Sequence, residues 1–593
     1  MFLFGVARYL FGALALAVVL SMAASYVVSM TIIPLYCARF LTAEEARAEE
    51  TGHSGVLGAF MRTYERFAAR YERWLGAALD HKGPVVGAIA AVFIASILLA
   101  PMIGTELFPQ TDSGQFIINF RAPLGTRIEL SEDLTRRLED EVRRVIPAAE
   151  LSTVVSNIGL AAGFSAIYSP NAASDSGFML VALKAGHKVS TFDYIRRLKS
   201  SLPEKVPEVE TFFSSGSIID SVLNFGLAAP IDVQFSGSRY SELFRVARAA
   251  DEIIRPLDTV AGSFIPEESD YPTLKINVDR VKAARLGLNQ RDVVRNVITA
   301  LSSNQMIAPS IWIDPKSGND YFLTAQYSEK NINSVETLRD IPVLGGQAGK
   351  EAHNALLLRD VADIAREEHP AEADHYNIQR VVDVLIAPRT EDLGGTQAAV
   401  QSALGKMQLP KDVHYTMRGS VSAMQKSFSS FGFGLSMAVV LLYLVMVAQF
   451  KSFLDPFIIM FAVPMGLIGV IWTLILTGTT LNIESFMGII VMVGIVVSNA
   501  ILLVDFANQR LREGESLRDA VVRTARIRMR PIIMTAMATV VGLMPMALKL
   551  GAGSEASAPL ARAAVGGLIV STVFTLVLVP ALYELFYSRR QVS

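Results

Sequence analysis

The chain has 593 residues, 51% of them apolar and 19% charged, with a net charge of −2. That length exceeds one ordinary domain, and the near-neutral balance leaves no electrostatic footprint for nucleic acid. The single cysteine, Cys37, excludes a disulfide within the chain and a cysteine-based metal site. The apolar excess is uneven: residues 104–428 have the composition of a soluble protein, and the excess lies outside them.

Seven stretches are long enough to span a bilayer, near 9–38, 84–105, 428–450, 456–478, 484–507, 531–549 and 563–587. Backbone groups left unpaired in lipid cost several kcal/mol each, so a span must be a helix of about 20 mostly apolar residues. The first stretch has no charge between Arg8 and Arg39. It is too long for the apolar region of a cleavable signal peptide and is followed by no obvious small-residue cleavage site. Pro531 suits the start of the sixth. Arginine and lysine collect at 39–82, at 508–530 and after 587, whereas the loop near 478–483 carries none. The positive-inside bias then places those three segments in the cytoplasm and 104–428 outside. Seven spans ending inside put the N-terminus outside, which leads us to expect a further segment before Met1.

Residues 58–79 are of another kind. Phe60, Tyr64, Phe67, Tyr71, Trp74 and Ala78 recur at helical spacing, with Arg62, Arg66, Arg70 and Arg73 largely elsewhere. This predicts a basic amphipathic helix on the cytoplasmic interface; the plainer alternative is a connecting helix packed on protein.

Within 104–428 a strand–helix–strand unit recurs. Alternation at 115–120 predicts a strand, Leu130, Leu134, Leu138, Val142 and Val145 stripe one helix face, and 151–156 is a second strand. The unit returns at 178–183, 191–201 and 209–213, begins again at 231–235 and 240–255, and closes at 381–386, 395–407 and 413–417. Repeated units of this kind predict α+β sandwich subdomains with helices on one face of each sheet. An insert at about 270–371 opens with a strand near 274–278 and a helix capped by Asn289. Two short strands at 311–313 and 321–325 flank Asp314 to Asn319, which has hairpin-turn chemistry. Such a hairpin serves equally as decoration or as a docking arm.

The chain lacks a Gly-x-x-x-x-Gly-Lys-Ser/Thr loop and a His-Glu-x-x-His pair, which argues against ATP-driven transport and against a motif-borne metal site. The carboxylates and histidines of 104–428 are expected to be a solvated surface. Polar residues inside spans carry more information, because lipid makes them expensive. The fifth span holds Ser498 and Asn499 near its middle and Asp505 further along. Hydrogen bonding between helices accounts for the first two without a transport role, and Asp505 reads equally as a carboxylate near the cytoplasmic end.

Several segments together resemble the resistance–nodulation–division (RND) superfamily of secondary exporters, closest to its drug- and hydrophobe-exporting branch. They are Val447-Ala448-Gln449-Phe450-Lys451-Ser452-Phe453, Pro464-Met465-Gly466, the run from Gly494 to Phe506, Arg528-Met529-Arg530-Pro531 with Thr535, and Gly551-Ala552-Gly553-Ser554. In the large domain, Asn224 to Gln234 and Pro272 to Asp279 match as well. The resemblance implies an inner-membrane permease of Gram-negative bacteria, trimeric and driven by proton entry. It exports hydrophobic small molecules through a periplasmic adaptor and an outer-membrane channel. Full members have twelve spans, and this chain resembles the rear half, so a front half is an expected partner. The fold implied is a seven-helix transmembrane bundle carrying a large α+β periplasmic domain of β-α-β sandwich subdomains.

Its parts are a first span at 1–40, an amphipathic linker at 41–82 and a second span at 83–105. Porter subdomains follow at 104–226 and at 227–269 with 372–428, a docking subdomain at 270–371, and five spans at 428–588. By the same resemblance Asn499, Arg528 and Thr535 match relay positions, Ser498 stands where drug exporters carry a lysine, and Asp505 completes the proton-relay candidates. The pocket loop of the family aligns with 159–168 and offers Phe164 and Tyr168, with Phe178 and Leu180 on the following strand as further substrate-pocket candidates. No cofactor is implied. Two rival readings are a heavy-metal exporter of the same superfamily, for which most of the 21 methionines are better explained by packing in spans, and a non-transporting assembly subunit.

Overall fold

A computed structural model of the chain describes residues 5–40, 56–159, 173–328, 331–345, 356–551 and 553–592. The chain opens with three helices: α1 (Gly5–Phe40), α2 (Val56–Asp80) and α3 (Lys82–Leu99). The predicted linker helix is thus present, while 41–55 lies outside the described residues.

The first sheet of the large domain contains β1 (Gln115–Arg121), β2 (Leu151–Ile158), β3 (Ser176–Leu183) and β4 (Glu210–Ser215), in the order β2-β3-β1-β4 with antiparallel neighbours. Helices α4 (Ile128–Val145) and α5 (Thr191–Lys205) cover one face. Alternate strand residues Phe116, Ile118, Met179 and Val181 meet Leu138, Val142 and Leu198 there in one core. The predicted stripe holds except at Leu130, which is exposed in the first turn of α4.

The second sheet is built from β5 (Ile231–Gly237), β6 (Val260–Phe264) and three strands that follow the insert. Within the insert, β7 (Tyr271–Val278) leads to α7 (Gln290–Ser302), the hairpin β8 (Ile311–Ile313) and β9 (Asp320–Phe322), and β10 (Ala362–His369), which pairs back onto β7. Asn289 does cap its helix, in a reciprocal box with Asp292. The sheet is completed by β11 (His375–Tyr376), β12 (Gln379–Pro388) and β13 (His414–Arg418), in the order β11-β12-β5-β13 with β6 beside β12. α6 (Tyr240–Ile254) and α8 (Leu393–Leu404) cover one face. The four recurring units therefore combine in pairs, two to a sheet, because each unit alone leaves strand edges open. The helix-free faces of the two sheets touch where Phe212 stacks on Phe264 at 5.8 Å, beside Leu385 and Ala387.

The remaining helices are α9 (Ser420–Phe450), α10 (Leu454–Met460), α11 (Ala462–Leu476), α12 (Ile483–Arg512), α13 (Leu517–Ala547) and α14 (Ser554–Val592). Among the described residues, seven helical segments are long and apolar enough to cross a membrane, α10 and α11 counting as one. α14 is the hub against which α11, α12 and α13 pack. Two crossings bring backbone against backbone: a Cβ at Gly469 or Gly566 would collide with the facing helix, and one at Gly488 would strike the Leu560 carbonyl. Small residues allow this approach where no hydrophobic force pulls helices together in lipid. Pro531 lies inside α13, not at its start; the helix begins at Leu517, where the Ser516 side chain accepts a bond from Asp519 N–H. The arginine-rich turns before Pro531 belong to the same helix, so the apolar run understates its length.

Candidate functional site

The polar residues of the membrane bundle lie on neighbouring helices. Asn499 is buried in α12, and Thr535 Oγ1 donates to its Oδ1 at 3.3 Å. The same hydroxyl lies 3.1 Å from Pro531 O and 3.0 Å from Ile532 O. It has one proton, so these three acceptors are alternatives, and a small rotation exchanges the interhelical bond for a local one. Gly494, Ser498, Leu502 and Asp505 form an exposed stripe on α12 at helical spacing. Ser498 and Asp505 thus share a face, about two turns apart, and Asn499 faces inward beside them. Arg528 is not with Thr535. Its guanidinium lies 4.5 Å above the Phe506 ring, two turns nearer the start of α13, and its buried Nε has no hydrogen-bond partner among the described residues. Of the five relay candidates, the fold brings Asn499 and Thr535 together.

In the large domain, a cavity of about 630 Å³ opens between the two sheets. Phe192, Ile195 and Lys199 line it from the α5 side, Ala387 and Arg389 from the second sheet, and Glu106 from the segment that leaves the membrane helices. Phe178 is buried and Leu180 half-buried, both on the helix-free face of β3, and neither lines this cavity. Phe164 and Tyr168 lie outside the described residues.

Glu106 sits at the joint between the two halves of the molecule. Thr105 bridges to Leu481 in parallel, and Glu106 N–H donates to Leu481 O at 3.1 Å, so the exit from α3 is zipped to the α11–α12 loop. The buried Glu106 carboxylate accepts a bond from Thr480 Oγ1 and another from Asn482 Nδ2 at 3.1 Å. Burial pushes its pKa up to about 7, against the pull of those two hydrogen bonds; Glu391 adds to the rise and Lys549 opposes it.

A second set of carboxylates lies on the helix-free face of the second sheet. Asp232 and Glu267 are almost wholly buried, and Arg418 Nη1 stands 3.9 Å from Asp232. Gln234 Nε2 donates to Asp383 Oδ1 at 2.9 Å, and Asp383 N–H donates to Glu267 Oε1 at 3.0 Å. Burial raises Asp232 well above the usual carboxylate range and the nearby Asp383 raises it further, while Arg418 pulls it down. Glu267 is raised by burial and by Asp383. The expectation of a purely solvated set of carboxylates is thus wrong. Asp232 and Gln234 alternate with Ile231, Val233 and Phe235, a pattern that reads as a solvent face when the segments covering it are out of view.

A family model described as the AcrB/AcrD/AcrF family matches residues 1–587. This chain belongs to that family of RND efflux permeases. Solved structures of a heavy metal efflux pump in two crystal forms resemble it, at 27% and 26% identity and a TM-score of 0.75 each. The match covers 88% of this chain and 53% and 52% of those chains, so the permease chain spans about half their length. In this RND chain Glu106 lines the inter-sheet cavity and is held by the α11–α12 loop, which continues directly into α12 through the Asn482 cap.

Proposed function

We propose that this chain is the rear half of a proton-driven RND efflux permease, and that the cavity between the sheets receives hydrophobic organic compounds on their way out. The cavity carries the reading. Its volume suits a drug-sized ligand, and it combines apolar side chains with charges of both signs. In this reading 104–226, and 227–269 with 372–428, are periplasmic porter subdomains, and 270–371 is a docking subdomain. The β8–β9 hairpin exposes Ile311, Trp312, Ile313 and Phe322, which suits a neighbouring subunit of a homotrimer or a periplasmic adaptor leading to an outer-membrane channel. A front half of the permease would cover the open stripe around Ser498 and Asp505. Relay chemistry then runs through Asn499 and Thr535 and the charged groups that front half supplies, because this chain has Ser498 where drug exporters carry a lysine.

Export of heavy-metal ions is the second reading, favoured by the names of the similar solved structures. Against it, no three His, Cys, Asp or Glu side chains converge on a possible metal position among the described residues. Proteoliposomes with an imposed pH gradient test the proposal. The chain alone should move nothing, and with a matching front half it should export a hydrophobic dye. Phe192→Ala should slow dye export several-fold. Export of metal salts without dye would replace the first reading by the second, and gradient-driven export by the chain alone would overturn the half-transporter reading.

A further inference from the structure

The helix α2 distributes its side chains around four sides, and one side makes no ion pair among the described residues. Side chains advance by about 100° per residue around a helix. Tyr64, Ala68, Tyr71, Leu75 and Leu79 fall within one arc and pack on α13 and α14, with Tyr71 Oη donating to Leu576 O at 2.7 Å. Glu65 and Glu72 flank that arc, and both bind Arg526 of α13, at 3.3 and 2.9 Å. Asp80 binds Arg518 at 2.6 Å. The described acidic groups of α2 are therefore all consumed by α13. Diametrically opposite the packed arc stand Arg62, Arg66, Arg70 and Arg73, all exposed. None has an ion-pair partner among the described residues; Arg73 reaches only the Ala69 carbonyl of its own helix, at 3.4 Å. Between the packed arc and the arginines lie Phe67 and Trp74, spaced i, i+7 and exposed by 55% and 75%.

We propose that this arc of α2 binds anionic phospholipid headgroups, with the four arginines on the phosphates and Phe67 and Trp74 seated at the acyl boundary. The order of the arcs fits a bilayer surface: protein on one side, an aromatic edge next, then cations. Aromatic rings favour the boundary between headgroups and chains, and clustered arginines favour anionic lipid. The opposite flank is already neutralised by Arg526 and Arg518, so among the described residues of α2 the charge left unpaired is positive and faces one way. The inference rests on the reading of the neighbouring helices as membrane spans.

Nanodiscs containing the full chain in mixed phosphatidylcholine and phosphatidylglycerol test it, with the lipids retained on gentle detergent extraction counted by mass spectrometry. Each arginine near an anionic surface is expected to contribute about fivefold. The four-fold variant Arg62→Gln, Arg66→Gln, Arg70→Gln and Arg73→Gln should therefore lose phosphatidylglycerol enrichment by about tenfold or more, and lysine at the same four positions should restore it. Brominated acyl chains should quench the emission that Trp74→Phe removes. Equal enrichment in chain and glutamine variant, absence of quenching, or displacement of the lipid by millimolar phosphate at constant ionic strength would each overturn the proposal. Failure of the chain to enter either lipid would instead overturn the membrane reading on which it rests.

Discussion

Replacing Glu106 by glutamine isolates one proton at the joint between the large domain and the membrane helices. The carboxyl is buried against Thr480 and Asn482, and its pKa lies at about 7 instead of the ordinary 4.5. A raised carboxyl pKa means that the folded state binds the proton more tightly than the unfolded chain. The stability it contributes is complete below about pH 4.5 and is lost as the pH rises through about 7. At about 1.4 kcal/mol per pH unit, the wild type should lose roughly 3 kcal/mol from this group over that interval. Glutamine keeps an acceptor for Thr480 and Asn482 and has no proton to lose. The melting midpoints of the purified full chain and Glu106→Gln should thus diverge as pH is raised from about 5 to about 8, with glutamine the more stable at the alkaline end by about 2–3 °C. Comparing the two proteins at each pH cancels the contributions of Asp232 and Glu267, which titrate in the same sense. Parallel midpoints across the range, or a glutamine protein less stable at high pH, would refute the assignment of a proton to this buried site.

Thr535→Ala and Asn499→Ala each remove the interhelical bond between these two relay candidates. In a complete transporter both should reduce proton-coupled export while costing no more than roughly 1–2 kcal/mol of stability, and unchanged export in both would leave only packing as their role. Gly566→Ala places a methyl against Thr473 and the Gly469 carbonyl and should destabilise the α11–α14 crossing by about 1–3 kcal/mol, read as a lower melting midpoint in detergent. Asp392 accepts from Thr105 N–H at 2.8 Å and from Gly395 N–H at 2.9 Å, so Asp392→Ala should cost about 1–2 kcal/mol through loss of the α8 cap, measurable by thermal unfolding. Reporter fusions at Ser317 and Gly514 should report opposite sides of the membrane, with Ser317 outside.

Much of the architecture was legible before any coordinates, and the reason is locality. Membrane helices announce themselves because lipid forbids the alternatives, so a charge-free run such as that between Arg8 and Arg39 has one reading. The strand–helix–strand units follow from periodicity, and the Asn289 cap from the chemistry of neighbouring residues, since both act within a few positions of the chain. The end of α13 at Ala547 was likewise visible, but its start was not, because arginine-rich turns extend a helix without extending its apolar run.

Only tertiary structure decided which units share a sheet, because strand order depends on contacts between residues far apart in sequence. The same holds for the chemistry. Glu106 is the first residue beyond the second predicted span and has nothing unusual beside it in sequence; its burial comes from Thr480 and Asn482, more than 370 residues away. Asp232 looks like the polar half of an ordinary alternation until the segments covering the helix-free face are in place. The sequence of α2 showed its aromatic and basic residues, but not that α13 takes up its carboxylates and leaves the arginines without an ion pair among the described residues. Local pattern determines what each segment can become, because backbone hydrogen bonding and side-chain period are local. Which charges end up buried, paired or free is set by desolvation, and desolvation is a property of the packed molecule.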